Sequence, residues 1–548
     1  MALIIGIDVG GTHADGVLLD GKEILAKRKV PVDQKNLSGA ILTLLQELVP
    51  QSGDSLAAIH LSTTLCTNSV INETLDPVGM LVQAGPGMNP DFLRCGDHVV
   101  FLSGAIDHRG HVVMAPDEYE VDKAVSIFLE NGIDSIGIVT KFSQRNNSHE
   151  KRIRDQLSHR FSHTSMGHRL SGLPNFPRRV YTTWLNAALK SQFRDFREAI
   201  ATGLKHLDVT CPCHVLKADG GTMPFAVASS LPCETVLSGP SASVMGGLAL
   251  HHGSRDAILL DIGGTTTDIA ILVDGVPLLE PYGVTVQGRP TLIRALNTRS
   301  VGLGGDSRVV RNGSDFTIGP ERGGTPMALG GSVPTPTDAM IVLGKLQAGS
   351  IHLAGEAMTV LHPKQEQQKT ARQLLDTFVR QIRHEVDSMI DDVFSRPVFT
   401  VAALLNRKRL DPHRIIAVGG PAQAMQQSIA DCFDLECVVP QHFEVANAVG
   451  AARTRPTLEA TLYADTADGS LSIPEIGLQE SIPSSFTVQN AKDRLWDAVV
   501  AMGQDSGLDK IPDIDFTEEQ VMNTVRGFST SGRIISLKAQ IQPDLEEL

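Results

Sequence analysis

The chain starts with an apolar run, Leu3-Ile4-Ile5-Gly6-Ile7, that stops at Asp8 and a pair of glycines. A second run, Val17-Leu18-Leu19, follows and closes on Asp20-Gly21. Short apolar runs separated by glycine turns predict strands, so residues 1–30 read as three short strands. The same succession returns at mid-chain. Ile258-Leu259-Leu260 leads into Asp261 and two glycines, and Ile269 to Val273 runs on to Asp274-Gly275. A repeated unit predicts two related halves.

Between the repeats the period alternates. Asn36 to Val49 places Leu37, Ile41, Leu44, Leu45 and Leu48 on one helical face. Ala57–Leu61, Val78–Val82, Ser135–Val139 and Cys213–Lys217 read as strands, and Glu118–Asn131 as a helix ending at Gly132. Arg178–His206 predicts one long helix or a pair. Ser238 to Leu250 and Val445 to Ala452 are rich in Gly, Ala and Ser, which suits helices that pack closely. Gly319 to Pro336 reads as a long loop, Thr370–Val393 as a charged amphipathic helix, and Ile415–Ala422 as strand, glycine turn and helix entry. Pro456 marks a boundary, with a smaller region beyond it that ends in the strand Arg533–Ile541 and an acidic tail. This β–α alternation predicts α/β layering.

Length and charge narrow the class. At 548 residues more than one domain is expected, and 42% hydrophobic residues can fill the cores. A net charge of −14 without a basic stripe argues against nucleic acid. No apolar run is long enough to span a membrane, and the first strand already carries a motif, so a cytoplasmic protein is expected. The seven cysteines are scattered and odd in number, which predicts reduced thiols. His108 with His111, and His159 with His163, lack a third ligand and read as surface histidines.

The candidate chemistry lies in the repeat. Asp8-Val9-Gly10-Gly11-Thr12-His13-Ala14-Asp15 and Asp261-Ile262-Gly263-Gly264-Thr265-Thr266-Thr267-Asp268 share one pattern. Glycines let backbone N–H groups approach an anion, and the threonines add hydroxyl donors. Asp8 and Asp261 would repel a phosphate directly, so they suit a hydrated Mg²⁺ or a reacting water, with a turn cap as the plainer use. Asp15 and Asp268 could also bond only their own hairpins. His13 is a candidate donor to phosphate or substrate, and Thr63, Thr64 and Asn68 are candidate pocket residues or helix caps.

Taken together, these segments resemble the actin, sugar-kinase and heat-shock-chaperone ATPase superfamily. The resemblance rests on the two phosphate motifs, the small-residue helices, Val418-Gly419-Gly420-Pro421 as an adenosine motif, and the Gly304-Gly305-Asp306 loop. Within it the chain resembles the hydantoinase A / 5-oxoprolinase family, through Thr63-Thr64-Leu65-Cys66-Thr67-Asn68, Asp219-Gly220-Gly221-Thr222-Met223, Thr235-Val236-Leu237-Ser238-Gly239-Pro240 and Thr337-Asp338-Ala339.

The resemblance implies an α/β, two-lobed actin-like ATPase fold, with duplicated ribonuclease H-like domains around an interlobe nucleotide cleft. It divides the chain into a lobe at 1–175, a lobe at 176–455 and a small region at 456–548 that packs back on the first. It implies ATP and Mg²⁺ as cofactors, with Gly10, Gly11, Thr12, Gly263, Gly264, Thr265, Thr266, Asp268, Gly304, Gly305, Gly419 and Gly420 around the nucleotide. Asp8 and Asp261 would be catalytic and would hold the metal through water. His13, Thr63, Thr64, Asn68 and Asp219 would face the substrate. The implied reaction is phosphorylation of a carbonyl oxygen to open a cyclic amide of hydantoin or 5-oxoproline type. Ketone carboxylation, simple kinase action and an ATP-switched partner protein stand as alternatives. A hydantoinase B-type subunit is an expected partner, and self-association stays open.

The chain departs from the family pattern at His13-Ala14, at Leu61-Ser62 before the paired threonines, and at Arg322-Gly323-Gly324-Thr325-Pro326, near the place of the family's Asp-Pro-Gly-Pro-Ala-Cys loop. The region after Pro456 is also shorter.

Overall fold

The computed structural model describes residues 3–546, apart from 34, 51–55, 158, 252, 254, 314, 396–409 and 509. The end of the acidic tail, 547–548, lies outside the described residues.

Two sheets repeat one topology. In the first, the antiparallel hairpin Leu3–Val9 and His13–Asp20 is flanked by Glu23–Pro31 on one side. On the other side lie the parallel strands Leu56–Thr63 and Cys213–Leu216. In the second, the hairpin Ala257–Ile262 and Thr267–Val273 is flanked by Val276–Pro277 and Thr298–Val301. Its other side carries the parallel strands Arg414–Val418 and Glu436–Val438. The central strands are buried along their lengths, which is why they read as unbroken aliphatic runs rather than alternation.

The register repeats as well. Asp8 pairs with Asp15, and Asp261 pairs with Asp268. Gly10 N donates to His13 O at 3.0 Å, and Gly263 N donates to Thr266 O at 2.9 Å. Similar sequence has built the same turn twice.

Helix Leu37–Leu48 buries the five predicted leucine and isoleucine positions and is capped by Asn36, whose Oδ1 accepts from Gly39 N at 3.0 Å. The segment at 176–206 is one 31-residue helix, Phe176–His206, rather than a pair. A parallel four-stranded sheet, in the order His163–Met166, Ser135–Thr140, Val78–Gln83 and His98–Phe101, forms a separate layer beside it.

The helices Ser238–Leu250 and Ala446–Arg453 cross at their glycines. A Cβ on Gly450 would fall 2.4 Å from Gly246 N, and one on Gly246 would fall 2.1 Å from Ala446 O. No side chain larger than hydrogen fits there without backbone movement. Ser238–Leu250 is entered through Leu237, a non-glycine residue at φ 66°, which turns the chain sharply out of the short helix Pro232–Thr235.

The expected loop at 319–336 is only partly a loop. Its first residues complete the strand Asp315–Arg322, which pairs with Ser307–Asn312. Phe316 and Ile318 of that strand point into the core of the second half, an alternation that the Gly/Pro content obscured.

After Pro456 a five-stranded sheet carries the helix Val488–Asp505, with Leu462, Leu495, Val499, Ile535 and Leu537 as its own core. It meets the N-terminal residues through polar anchors. Arg109 pairs with Asp465 at 2.6 Å, Tyr463 OH donates to Gly172 O at 2.6 Å, and Ser472 Oγ donates to Gln144 O at 2.8 Å. Among the described residues no helix is long and apolar enough to cross a membrane.

Candidate nucleotide cleft

Asp8 lies near the C-terminal end of Leu3–Val9, and Asp261 near that of Ala257–Ile262. These are the ends of parallel strands where α/β sheets present ligands. The two ends open into one cleft of about 520 Å³. Gly10, Gly11, Thr12, His13, Asp15 and Lys29 line it from the first half. Gly263, Gly264, Asp306, Arg322, Thr337, Gly419 and Gly420 line it from the second. Glu444, Ala446 and Asn447, at the start of the second crossing helix, complete the wall.

Backbone bonds hold the Gly304-Gly305-Asp306 loop against the second turn. Gly305 N donates to Gly263 O at 3.0 Å and Asp306 N to Gly264 O at 2.6 Å, while Thr337 Oγ1 donates to Gly305 O at 2.8 Å. Thr265 and Thr266 stand exposed on the second turn. Gly419 has φ +90°, and a Cβ there would lie 2.4 Å from Asp261 Oδ1, so only glycine lets this strand end pass the carboxylate.

Asp8, Asp15 and Asp261 line the floor, and Asp268 is paired in register with Asp261 behind it. Burial pushes Asp8 up to about 7; a Ser62 hydrogen bond opposes the rise, and Asp15 and Asp261 reinforce it. Burial also pushes Asp268 up to about 7, helped by Asp261. Asp261 is raised by burial, against hydrogen bonds from Ser243 at 2.5 Å and Asn447 at 3.3 Å. Asp15 is raised by burial despite Lys29 at 3.0 Å. One oxygen of Asp268 is buried without a hydrogen-bond partner. Such a floor calls for positive charge. Among the described residues no three His, Cys, Asp or Glu side chains converge as a direct metal cage, and His111 instead pairs with Asp107 and Asp468. The arrangement therefore fits a hydrated divalent cation, held through its waters, better than a dehydrated one.

Some expected residues are elsewhere. Thr63, Thr64 and Asn68 do not line the cleft. Thr64 is the N-cap of the helix Leu65–Ile71 without a side-chain cap bond; Thr63 Oγ1 accepts from Leu65 N at 3.2 Å, Asn68 Nδ2 donates to Thr64 Oγ1 at 3.2 Å, and Thr63 O accepts from Ser238 Oγ at 3.0 Å. Asp219 is buried in an ionic cluster with Lys217 at 3.2 Å, Arg294 at 3.5 Å and Thr457 Oγ1 at 2.7 Å. The free cysteines carry no disulfide.

Sequence reading missed Lys29, Ser243, Arg322, Glu444 and Asn447. Ser243 and Asn447 sat inside small-residue helices read only for packing. Asn447 is the one polar residue of the segment 445–452, and that was the available signal there; Ser243 is one of three serines in its helix and had none.

The matched hairpins, the crossing helices and the cleft between them define a two-lobed actin-like ATPase fold. The chain belongs to the hydantoinase/oxoprolinase family: that family's pattern matches residues 179–460, and its N-terminal region matches residues 4–161. The acetophenone carboxylase gamma subunit of Aromatoleum aromaticum is 26% identical over 62% of this chain and 53% of its own length. The caprolactamase subunit alpha of Pseudomonas jessenii is 26% identical over 63% of this chain and 55% of its own. The chain thus spans about half the length of the curated relatives it matches. Among solved structures, the ATP-dependent caprolactamase from Pseudomonas jessenii superposes with TM-score 0.74 at 19% identity, over 100% of this chain and 88% of that one. The nucleotide-free acetone carboxylase superposes with TM-score 0.67 at 16% identity, over 98% and 87%.

Proposed function

We propose that the chain binds Mg·ATP in the interlobe cleft and uses it to open a cyclic amide by phosphorylating the carbonyl oxygen. One observation carries this reading. Two Gly-Gly-Thr hairpins of matching register open on one cleft, where Asn447 bonds Asp261 at 3.3 Å and lines the same wall as Asp8.

In this reading the backbone N–H groups of Gly10, Gly11, Gly263 and Gly264, with the hydroxyls of Thr12, Thr265 and Thr266, hold the phosphates. Asp8, Asp261 and Asp268 hold the waters of the metal. Gly419 and Gly420 leave room for the nucleoside against bare backbone. When bound, Mg·ATP would supply a phosphoryl group to the amide oxygen, which activates the carbonyl carbon toward water; the ring C–N bond breaks and phosphate is released beside the ring-opened acid. Closure about the glycine crossing aligns the two halves and excludes bulk water. Two relatives are named as subunits, so a second chain of hydantoinase B type is part of the proposal.

The test is a screen of lactams, hydantoins, 5-oxoproline and ketones, run with and without the co-expressed partner. ADP, free phosphate and ring-opened acid would be followed together. Release of all three with a cyclic amide is the expected result. A stable phosphoester would favour a kinase, and bicarbonate-dependent ADP formation with a ketone would favour carboxylation. No stimulation by any small molecule would sink the enzyme reading.

A further inference from the structure

A second cavity, of about 290 Å³, lies outside the nucleotide cleft, where the region after Pro456 meets the body of the protein. Lys217 and Glu234 enter it from the body, as does Arg294. Glu459 and Glu475 enter from the C-terminal sheet region, and Asp505 from the end of the helix Val488–Asp505. Met223, Leu231, Leu292 and Met502 supply apolar wall. No residue of this cavity lines the nucleotide cleft.

Lys217 is buried here and Glu234, Arg294, Glu459 and Glu475 are half-buried, and ionic groups withdrawn from water are seldom more stable than aliphatic ones of equal volume. Several are already committed. Lys217 Nζ lies 3.2 Å from Asp219, 3.4 Å from Glu234 and 3.1 Å from the Thr457 carbonyl. Glu459 pairs with Lys538 at 2.9 Å. Glu475 accepts from Gly172 N at 2.9 Å and Thr461 N at 3.1 Å. Arg294 is only partly matched: Nη1 reaches Asp219 at 3.5 Å and Leu458 O at 3.4 Å and Nε lies 3.8 Å from Glu459, but Nη2 is buried with no hydrogen-bond partner. Arg169, exposed at the same cavity, is a second cation. Glu234, shared with Lys217, and Asp505, exposed at the end of its helix, are the carboxylates on the other side.

We propose that this cavity binds a small zwitterion, an amino acid whose carboxylate meets Arg294 and Arg169 and whose ammonium meets Glu234 and Asp505. Cations and carboxylates around one small volume match a ligand carrying both charges, and the methionines and leucines match its aliphatic part. The space is many times the roughly 10–15 Å³ that admits one water, so it can take a small organic ligand. The proposal does not depend on the chemistry assigned to the nucleotide cleft.

Titration calorimetry on the full chain would use norvaline, glutamate and 5-aminopentanoate, each beside its N-acetyl and methyl-ester form. At least one free amino acid should bind, and blocking either end should weaken it roughly tenfold or more, the order of one charged hydrogen bond. Arg169→Ala, at an exposed side chain, should weaken binding similarly, and Leu231→Trp should fill the cavity and abolish it. ATP affinity of the same samples should stay unchanged, which separates this site from the cleft. Saturable binding that ignores both blocking groups would overturn the proposal. So would wild-type affinity in both variants with their melting temperatures intact, or no heat from any free amino acid.

Discussion

Ser243 Oγ donates to Asp261 Oδ2 across 2.5 Å, which ties the first crossing helix to the end of the strand that carries the second phosphate turn. The hydroxyl favours the ionised carboxylate that burial disfavours. Ser243→Ala should therefore raise the Asp261 pKa further and weaken Mg²⁺-dependent ATP binding by ~1.5–3 kcal/mol, the range for a hydrogen bond to a charged group. The loss should shrink as pH rises. Calorimetry from pH 6 to 8.5 checks it, and a pH-independent loss would reduce Ser243 to a packing residue.

The titration of the cleft itself has a definite sign. Asp8 is held at about 7 in the folded chain against 3.8 as an ordinary carboxyl. Between those values the folded state binds the proton and the unfolded state does not, so this group's contribution to stability falls as pH rises from about 4 to about 7. Asn mimics the protonated form. Asp8→Asn should melt above the wild type at pH 8 in metal-free buffer, and the gap should close toward pH 5. A gap that is constant across that range would remove Asp8 as the titrating group.

The glycine crossing predicts a split between stability and turnover. Gly246→Ala places a Cβ 2.1 Å from Ala446 O, and Gly246→Val or Ala448→Leu adds more volume. Overpacking of this kind costs about 1–3 kcal/mol. Turnover should fall more than nucleotide affinity, because the crossing sets how the halves close while both Gly-Gly-Thr turns stay intact. Normal turnover together with unchanged scattering on addition of an ATP analogue would dismiss the hinge.

His13 stands exposed on the first phosphate turn, with Nδ1 3.2 Å from Thr12 Oγ1. It lines the cleft at a position where a ring N–H could reach bound phosphate. His13→Ala should lower ATP turnover several-fold, on the order of one lost hydrogen bond to a charged group. A steady-state assay at saturating ATP checks it, and wild-type rates would leave His13 without a role.

The strands, the two hairpins and both small-residue helices were legible because each depends on local rules. Aliphatic runs ending in Asp-x-Gly-Gly fix strand and turn within a few residues. A leucine repeat shows the helix Leu37–Leu48 whatever lies beneath it. The strand Asp315–Arg322 was less visible, since its inward residues are only Phe316 and Ile318 and its glycine and proline resemble loop signals. Motif residues were grouped by sequence alone, and that grouping divided in space. Asp8, Gly11 and Gly419 reached one cleft, while Asp219 became the anchor of an ionic cluster with Lys217, Arg294 and Thr457.

The sequence by itself determined the two turns and their chemistry, because glycine geometry and the adjoining carboxylate act over a handful of bonds. Only the tertiary structure decided which carboxylates share a field, since Asp8 and Asp261 are far apart in the chain; burial raises both pKa values, and at Asp8 the nearby Asp15 and Asp261 add to the rise. The same holds for Lys29, Ser243 and Asn447. Their side chains matter through what packs against them, and no local pattern encodes that.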